Sequence, residues 1–337
     1  MFSYIVRRLV AAVFLLLAVS IITFMIFFLI PRLAGASADD LASRYVGKTA
    51  GAEQIHKQAE SMGFTDPLYV QYGNFVKGIF VGADYSTGVG TEHCPAPCLG
   101  YSYQDRTSVT QDLKDRLPVT FSLAIGAGVL WLFSGVAIGV LSALRRGSIF
   151  DRAAMTVALA GVSLPIFFTG LLSLSIFSYS LGITAKGGSY TPFTENPLDW
   201  AYDLILPWIT LAFLFAAGYA RLTRAGMLET MGEDYVRTAR AKGLPERTVV
   251  TKHALRSTLT PILTIFGLDF GVLMGGAVLT EKTFSLPGLG QYAIQAIARN
   301  DLPKLLGVTL LIAAFVVIAN LVVDVLYAVV DPRVRLG

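Results

Sequence analysis

The run LPVTFSLAIGAGVLWLFSGVAIGVLSAL (residues 117–144) contains 28 consecutive residues without a charge. A helix that crosses a membrane needs about 20 consecutive apolar residues, because each residue adds about 1.5 Å along the helix axis. Two further uncharged runs cover 23 residues at 9–31 and 33 residues at 153–185. The sequence therefore predicts an α-helical membrane protein with several spans.

The composition of the whole chain agrees with this prediction. Of 337 residues, 54% are hydrophobic and 15% are charged, whereas soluble domains average about 25% charged residues. Soluble, disordered and nucleic-acid-binding classes are therefore excluded, although the net charge is +4. The basic start and the small residues at 34–38 imitate a secretory signal, but the apolar run exceeds the usual length of about 7–15 residues. We interpret it as the first span.

The predicted fold is all-α, with six transmembrane helices and an external segment between the first two. The predicted spans are 9–30, 118–144, 153–181, 204–222, 258–280 and 305–330. Pro165 is expected to bend the third span. The predicted regions are a cytoplasmic N-terminus and first span (1–30), the external segment (31–117), a five-helix core (118–330) that includes a cytoplasmic loop (223–257), and a tail (331–337).

Lysine and arginine in the short loops predict the orientation of the chain, because cytoplasmic loops are enriched in both. If the N-terminus is cytoplasmic, the inner segments contain 15 of these residues and the two short outer loops contain four. Both termini are therefore predicted to face the cytoplasm.

The external segment contains the two cysteines of the chain, Cys94 and Cys98. A disulfide between them is predicted, because the compartment would be oxidising. Two free thiols are one alternative, and a metal site that includes His93 is another, although it lacks a fourth ligand. The segment has helix-like stretches at 52–62 and 68–80 but is too small for a large core of its own. It is expected to pack on the outer ends of the spans.

Sequence patterns for catalysis are missing from the chain. No complete GxxxxGK[ST] phosphate loop occurs, nor does HExxH, CxxC or GxSxG. The chain is therefore not predicted to be an enzyme or to bind ATP.

The fifth predicted span carries glycines at every fourth position, Gly267, Gly271 and Gly275. Such a stripe allows helices to approach closely. We favour an interface with a second membrane subunit or a pore lining, and packing within this bundle is the alternative. Asp269 lies in the same span and is expected either to line a polar pathway or to form a hydrogen bond between helices. Asp324 is a second acid, near the inner end of the sixth span.

The cytoplasmic loop includes the run MLETMGEDYVRTARAKGLPE (residues 227–246). Its spacing predicts an amphipathic helix over 227–242, although Gly232 weakens the first turns. The predicted apolar face consists of Leu228, Met231, Tyr235 and Ala239. Gly243 suits the left-handed position after a helix, and Pro245 can begin a second helix. This cationic loop is expected to dock onto a partner protein; an interfacial helix on anionic lipid is the alternative.

At this loop the sequence resembles the permease subunits of ABC importers. Their EAA loop, Glu-Ala-Ala-x-x-x-Gly, forms a coupling helix that sits in a groove of the ATPase subunit. Aligned on Gly243, its three leading positions become Arg237, Thr238 and Ala239. The longer run DYVRTARAKG (234–243), followed by HALR (253–256) and Pro261, is similar to the variant in dipeptide and oligopeptide permeases.

Other stretches resemble the same family, and one does not. The similar stretches are MFSYIVRRL (1–9), DPLYVQY (66–72), RLPVTFSL (116–123), EKTFSLPGLG (281–290) and DPR (331–333). The insertion around Cys94 to Cys98 departs from the family pattern, which leaves the docking of a binding protein and the substrate range open.

The resemblance implies a type I importer permease that forms half of a translocation pathway for di- or oligopeptides in a bacterial inner (plasma) membrane. The implied partners are a second homologous permease, two cytoplasmic ATP-binding subunits that hold ATP and Mg, and an extracytoplasmic substrate-binding protein. No cofactor and no nucleic acid is expected on this chain itself. The implied ATPase-coupling residues are Glu233, Asp234, Tyr235, Arg237, Thr238, Ala239, Lys242 and Gly243.

Three alternatives remain open from the sequence. Nickel or another small solute is the alternative substrate for the same architecture. A stand-alone secondary transporter or channel would require more charge inside the membrane than Asp269 and Asp324 provide. A membrane-embedded enzyme or assembly factor would require a nucleophile, base or metal set that the sequence does not display.

Overall fold

The computed structural model describes residues 2–46, 50–86 and 90–330, with side chains described for residues 6–46, 50–86 and 90–322. Among these residues, five helices are long and apolar enough to cross a membrane, and a bent pair can provide a sixth crossing. The five are Val6–Leu33, Val109–Leu144, Pro197–Thr230, Glu246–Met274 and Leu302–Val322, and the pair is Ile149–Ser163 with Ile166–Ser180. The prediction of an all-α protein with multiple spans is confirmed.

Helices follow one another along most of the described chain. The first part contains α1 (Phe2–Phe24), a π-helical turn (Met25–Leu29), α2 (Ile30–Leu33), α3 (Ala38–Ala42), α4 (Ala52–Ser61) and α5 (Leu68–Val81). Two small antiparallel hairpins follow, β1 (Ala83–Ser86) with β2 (Thr91–Cys94), and β3 (Tyr101–Ser102) with β4 (Thr107–Ser108). The remainder contains α6 (Val109–Leu144), α7 (Ile149–Ser163), α8 (Ile166–Ser173), a π-helical turn (Leu174–Ser180), α9 (Pro197–Thr230), α10 (Asp234–Ala241), α11 (Glu246–Thr248), a π-helical turn (Val249–Ala254), α12 (Leu255–Met274), α13 (Val278–Thr283), α14 (Leu289–Arg299) and α15 (Leu302–Val330).

The centre of the bundle is the contact between α6 and α9, which glycines make possible. A Cβ atom on Gly135 would lie 2.6 Å from the Cβ of Tyr219, and one on Gly139 would lie 2.6 Å from the carbonyl oxygen of Ala220. Only glycine permits so close an approach. Residue numbers rise together along both helices, so α6 and α9 run parallel. The chain between them must therefore cross back once.

The return crossing is the bent pair formed by α7 and the stretch Ile166–Ser180, which consists of α8 and the π-helical turn after it; the two parts differ in direction by 104°. Leu164 has an extended backbone (φ −90°, ψ 132°) and precedes Pro165, which is the N-cap of α8. Proline disfavours a helical conformation in the residue before it. The bend predicted at Pro165 is confirmed, but the helix ends there and a new one begins.

The other helix bounds differ from the predicted spans where charged residues or glycines lie. Helix α9 extends over 197–230 instead of 204–222, and α6 begins at Val109, nine residues before the predicted span. Both helices continue beyond the apolar stretch, so a hydrophobic run alone underestimates their length. The fifth span ends at Met274 and not at residue 280, because Gly276 adopts a positive φ of 113°.

The segment between the first two spans packs on one end of the bundle, which we call the segment side. Its helices α4 and α5 match the stretches predicted at 52–62 and 68–80. Its apolar side chains share one cluster with residues from α1 and α15, which includes Phe24, Phe28, Leu41, Ala42, Ala59, Phe64, Leu302, Leu305 and Leu306. The expectation that this segment relies on the spans for its core is confirmed.

Polar contacts also fasten the segment to the start of α15. Asp105 forms ion pairs with Arg299, at 2.8 Å, and with Lys304. The bond from the Lys304 ammonium holds the pKa of the Asp105 carboxyl below its usual range. The Ser102 hydroxyl donates to Asp301, a carboxylate that is almost fully buried. Burial raises the pKa of Asp301, because it disfavours the charged form.

The α6–α9 contact yields a direct test with a matched pair of variants. We expect Gly139→Ala to lower stability by about 1–3 kcal/mol, since overpacking displaces backbone as well as side chains. Gly218→Ala is the control, because a Cβ on this exposed glycine of α9 meets no atom within 4 Å. Alanine there should be neutral or stabilising, as glycine costs up to about 1 kcal/mol in a helix interior. Melting temperatures in detergent would show the difference, and equal values would contradict this account of the contact.

Candidate coupling site

A short helix projects from the end of the bundle opposite the segment side. We call this end the loop side. Helix α9 ends at Thr230, a turn follows, and α10 covers Asp234–Ala241. The single helix predicted over 227–242 is therefore wrong. The amide of Gly232 donates to the carbonyl of Glu229 in a turn, which ends α9 before the new helix begins.

The predicted apolar face of this helix also needs correction. Val236 and Ala239 are buried and pack with Val249, whereas Tyr235 is 45% exposed. Because the turn at Gly232 separates the two helices, the periodicity of α9 does not continue into α10. Ala239 lies on the buried face as predicted, and Val236 takes the place assigned to Tyr235.

Gly243 ends α10 with the backbone geometry predicted for it. Its φ is +75°, its amide donates to the Arg240 carbonyl at 2.9 Å, and the Leu244 amide donates to the Ala239 carbonyl at 3.4 Å. This pair of bonds is the Schellman motif, which satisfies carbonyls that a helix end leaves unpaired. Pro245 is the N-cap of α11 and not its first residue.

The remaining residues predicted for coupling are exposed on α10 and its ends. Exposed residues are Glu233, Asp234, Tyr235, Arg237, Thr238, Lys242 and Gly243. Arg237 lies 3.6 Å from Asp234, and the Thr238 hydroxyl donates to the Asp234 carbonyl at 2.8 Å. Arg240 pairs with Glu246 at 2.8 Å across the turn. The pair joins α10 to the start of the next span, so the projecting helix is held at both ends.

Sequence reasoning missed an ion pair between α7 and α9. Arg224 of α9 donates to both oxygens of Asp151, at 2.6 and 2.8 Å. The Gly147 amide donates to the same carboxylate at 2.9 Å, and Ser148 caps α7 through the Asp151 amide. Serine followed three residues later by an acid is a signal for a helix start, but the partner on α9 was not predictable from it. The pair ties α7 to α9.

The glycine stripe of α12 faces the last helix of the same chain. A Cβ on Gly271 would lie 2.3 Å from the Cβ of Ala319, and one on Gly275 would lie 2.6 Å from Cγ2 of Ile312. Both partners belong to α15, and Gly267 is half-buried two turns before Gly275. The favoured expectation of an interface with a second subunit or a pore lining is therefore wrong for Gly271 and Gly275, which instead match the alternative of packing within this bundle.

Asp269, which lies within the membrane-spanning helix α12, forms a hydrogen bond to another helix. The Tyr219 hydroxyl of α9 donates to Oδ2 of Asp269 at 2.7 Å. This bond agrees with the expectation that Asp269 forms a hydrogen bond between helices. The side chain of Asp324 and residues 331–333 lie outside the described residues.

The structure joins Cys94 and Cys98 by a disulfide on the segment side. Both sulfur-bearing side chains are buried, and the Cys98 amide donates to the Gly78 carbonyl of α5 at 3.1 Å. The disulfide therefore connects the end of β2 to a residue that is hydrogen-bonded to α5, and this holds the β1–β2 hairpin beside α5.

A bundle of spans with an extramembrane segment on one side and a charged helix projecting from the other is the architecture of a membrane permease. The model of the family described as "Binding-protein-dependent transport system inner membrane component" matches residues 135–336, and that of its N-terminal region matches residues 1–124. The chain belongs to this family. It is a multi-pass inner-membrane component of an ABC transport system, which includes a substrate-binding protein and ATPase subunits.

Curated relatives match the chain along nearly its entire length. It is similar to a Putative peptide transport system permease protein of Brucella abortus (strain 2308), with 39% identity over 336 residues. It is similar to the Di/tripeptide transport system permease protein DppB of Pseudomonas aeruginosa (strain UCBPP-PA14), with 39% identity over 355 residues. The Dipeptide transport system permease protein DppB of Escherichia coli (strain K12) is 34% identical over 358 residues. Each alignment covers 99% of both chains.

The disulfide can be checked by alkylation, because the chain has only two cysteines. In denaturant without reductant, we expect a maleimide to add to neither sulfur, and after reduction we expect two additions by mass. Cys94→Ser is the positive control, since it leaves one thiol that should react without reductant. Two additions to the unreduced wild-type chain would reject the bridge.

Proposed function

We propose that this permease forms half of a translocation pathway for di- or oligopeptides, delivered by an extracytoplasmic binding protein. The substrate class is supported by relatives named for peptide transport, which share 34–39% identity over 99% of the chain. The observation that carries a coupled mechanism is α10, an exposed charged helix held between two spans. The other half of the pathway comes from a second, homologous permease.

The proposed orientation places the loop side in the cytoplasm. The count of 15 lysines and arginines against four in the short loops supports it. In this orientation α10 faces the compartment that contains ATP. The ATPase subunits hold ATP and Mg, this chain holds neither, and α10 is where they contact it.

Two connections would transmit a movement of α10 into the membrane. A three-residue turn joins α10 to α9, and the Arg240–Glu246 pair joins it to the helical stretch that continues into α12. These two spans are also linked at membrane depth by Tyr219 and Asp269. A displacement of α10 by the ATPase subunits therefore moves α9 and α12 as a linked unit.

Co-purification is the first test of this proposal. The tagged chain is extracted from its native membrane in mild detergent, and the proteins that accompany it are identified by mass spectrometry. Two ATPases and a second six-span permease are expected. A homo-oligomer without an ATPase after crosslinking would favour a stand-alone transporter instead.

The coupling role of α10 is tested by two substitutions at Gly243. Proline cannot reach a φ of +75°, because its ring holds φ near about −65°. We expect Gly243→Pro to leave assembly intact but to abolish ATP-driven dipeptide uptake in proteoliposomes while ATP hydrolysis continues. Gly243→Asn is the matched control and should retain most uptake, because asparagine tolerates the left-handed conformation. Normal uptake by the proline variant would count against α10 as the coupling element.

A further inference from the structure

A recess on the loop side lies beside α10 and shares the Arg240–Glu246 pair with the proposed coupling element. Its volume is about 610 Å³, within the range of about 300–1,000 Å³ typical of small-molecule sites. Its apolar floor is formed by Ala143, Leu144, Leu228, Met231 and Val250. These residues come from the end of α6, the end of α9 and the start of the next span. The recess therefore lies where three spans end, at the level of the membrane–water interface.

The rim of the recess is cationic. Arg240, Glu246 and Arg247 line it, and the first two neutralise each other through their ion pair. Arg247 is exposed and forms no ion pair with any residue that the structure describes. Arg145 and Arg146, which directly follow α6, are exposed but do not line the recess. Among the residues that line the recess, the charge that remains unneutralised is therefore the positive charge of Arg247.

The floor continues toward the bilayer along α6. Leu144 lines the recess, and Leu141 lies one turn away on the same helix; each is 44% exposed. An apolar track that begins at a cationic rim fits a molecule with an anionic head and a hydrocarbon tail. A purely acidic segment of a partner protein would match the rim but would leave the apolar floor and track uncovered.

We propose that this recess binds one anionic phospholipid, with its phosphate at Arg247 and an acyl chain along Leu144 and Leu141. Basic recesses between spans are a recurring form of anionic-lipid site. Arg240 and Glu246 line this recess and also link α10 to the next span. The bound lipid therefore lies against the contacts that position the projecting helix.

Lipid retention by the full-length chain tests the proposal independently of transport. The purified chain is titrated with dioleoyl phosphatidylglycerol or dioleoyl phosphatidylcholine, and bound lipid is measured by native mass spectrometry. We expect phosphatidylglycerol to bind more tightly. Arg247→Gln should weaken it about fivefold, the factor that corresponds to about 1 kcal/mol for one cation near a membrane surface. Lys252→Gln is the matched control, an exposed cation outside the recess, and should leave binding unchanged.

Four results would overturn the proposal. Equal retention of phosphatidylglycerol and phosphatidylcholine would show that the recess does not select an anionic lipid. Equal weakening of binding by Arg247→Gln and Lys252→Gln would show that the lipid is held by unspecific electrostatic attraction. Complete displacement of the lipid by millimolar inorganic phosphate would indicate a site for a free anion. Loss of the bound lipid when the ATPase subunits assemble would assign the recess to the protein interface.

Discussion

The architecture depends on the close parallel contact between α6 and α9. In a bilayer, no hydrophobic force drives helices together, so close backbone packing and polar contacts must hold them. Gly135 and Gly139 allow that approach by leaving no side chain between the helices. Because the two helices run in the same direction, α7 and α8 must return between them, and α9 ends on the loop side. The position of α10 follows from this one contact.

The two ends of the bundle differ in how their polar groups are satisfied. On the segment side, Asp105 pairs with both Arg299 and Lys304, and the Glu281 carboxylate accepts hydrogen bonds from the Thr120 hydroxyl and the Gln291 amide. Burial nevertheless raises the pKa of Glu281, because it disfavours the charged form. On the loop side, α10 leaves most of its charged side chains in solvent. The segment side therefore satisfies several carboxylates with partners from distant parts of the chain, whereas the exposed charges of α10 pair with near neighbours in sequence.

Sequence patterns predicted the features that depend on local chemistry. Uncharged runs predicted the spans, Pro165 the break in the third, and Gly243 the end of α10. Patterns failed where the partner lies far along the chain. The stripe at Gly271 and Gly275 indicated a close approach but not that α15 supplies the neighbour, and Asp151 gave no sign of Arg224. The prediction that Tyr235 lies on the apolar face was wrong for a different reason. The turn at Gly232 separates α9 from α10, so the helical periodicity of the first does not continue into the second.

The hydrogen bond between Asp269 and Tyr219 joins α12 to α9 at membrane depth. A carboxylate in a span costs about 2.5–3.5 kcal/mol on insertion scales, so it is retained only where a partner offsets part of that cost. Tyr219 is that partner, and it lies on α9, while Asp269 lies on α12. These are the two spans that flank α10. A movement that separated α9 from α12 would leave Asp269 without its hydrogen-bond partner inside the membrane, so the pair favours their moving together. The hydrogen bond that offsets the cost of placing Asp269 in the membrane therefore also favours the movement of α9 and α12, the helices on either side of α10, as one unit.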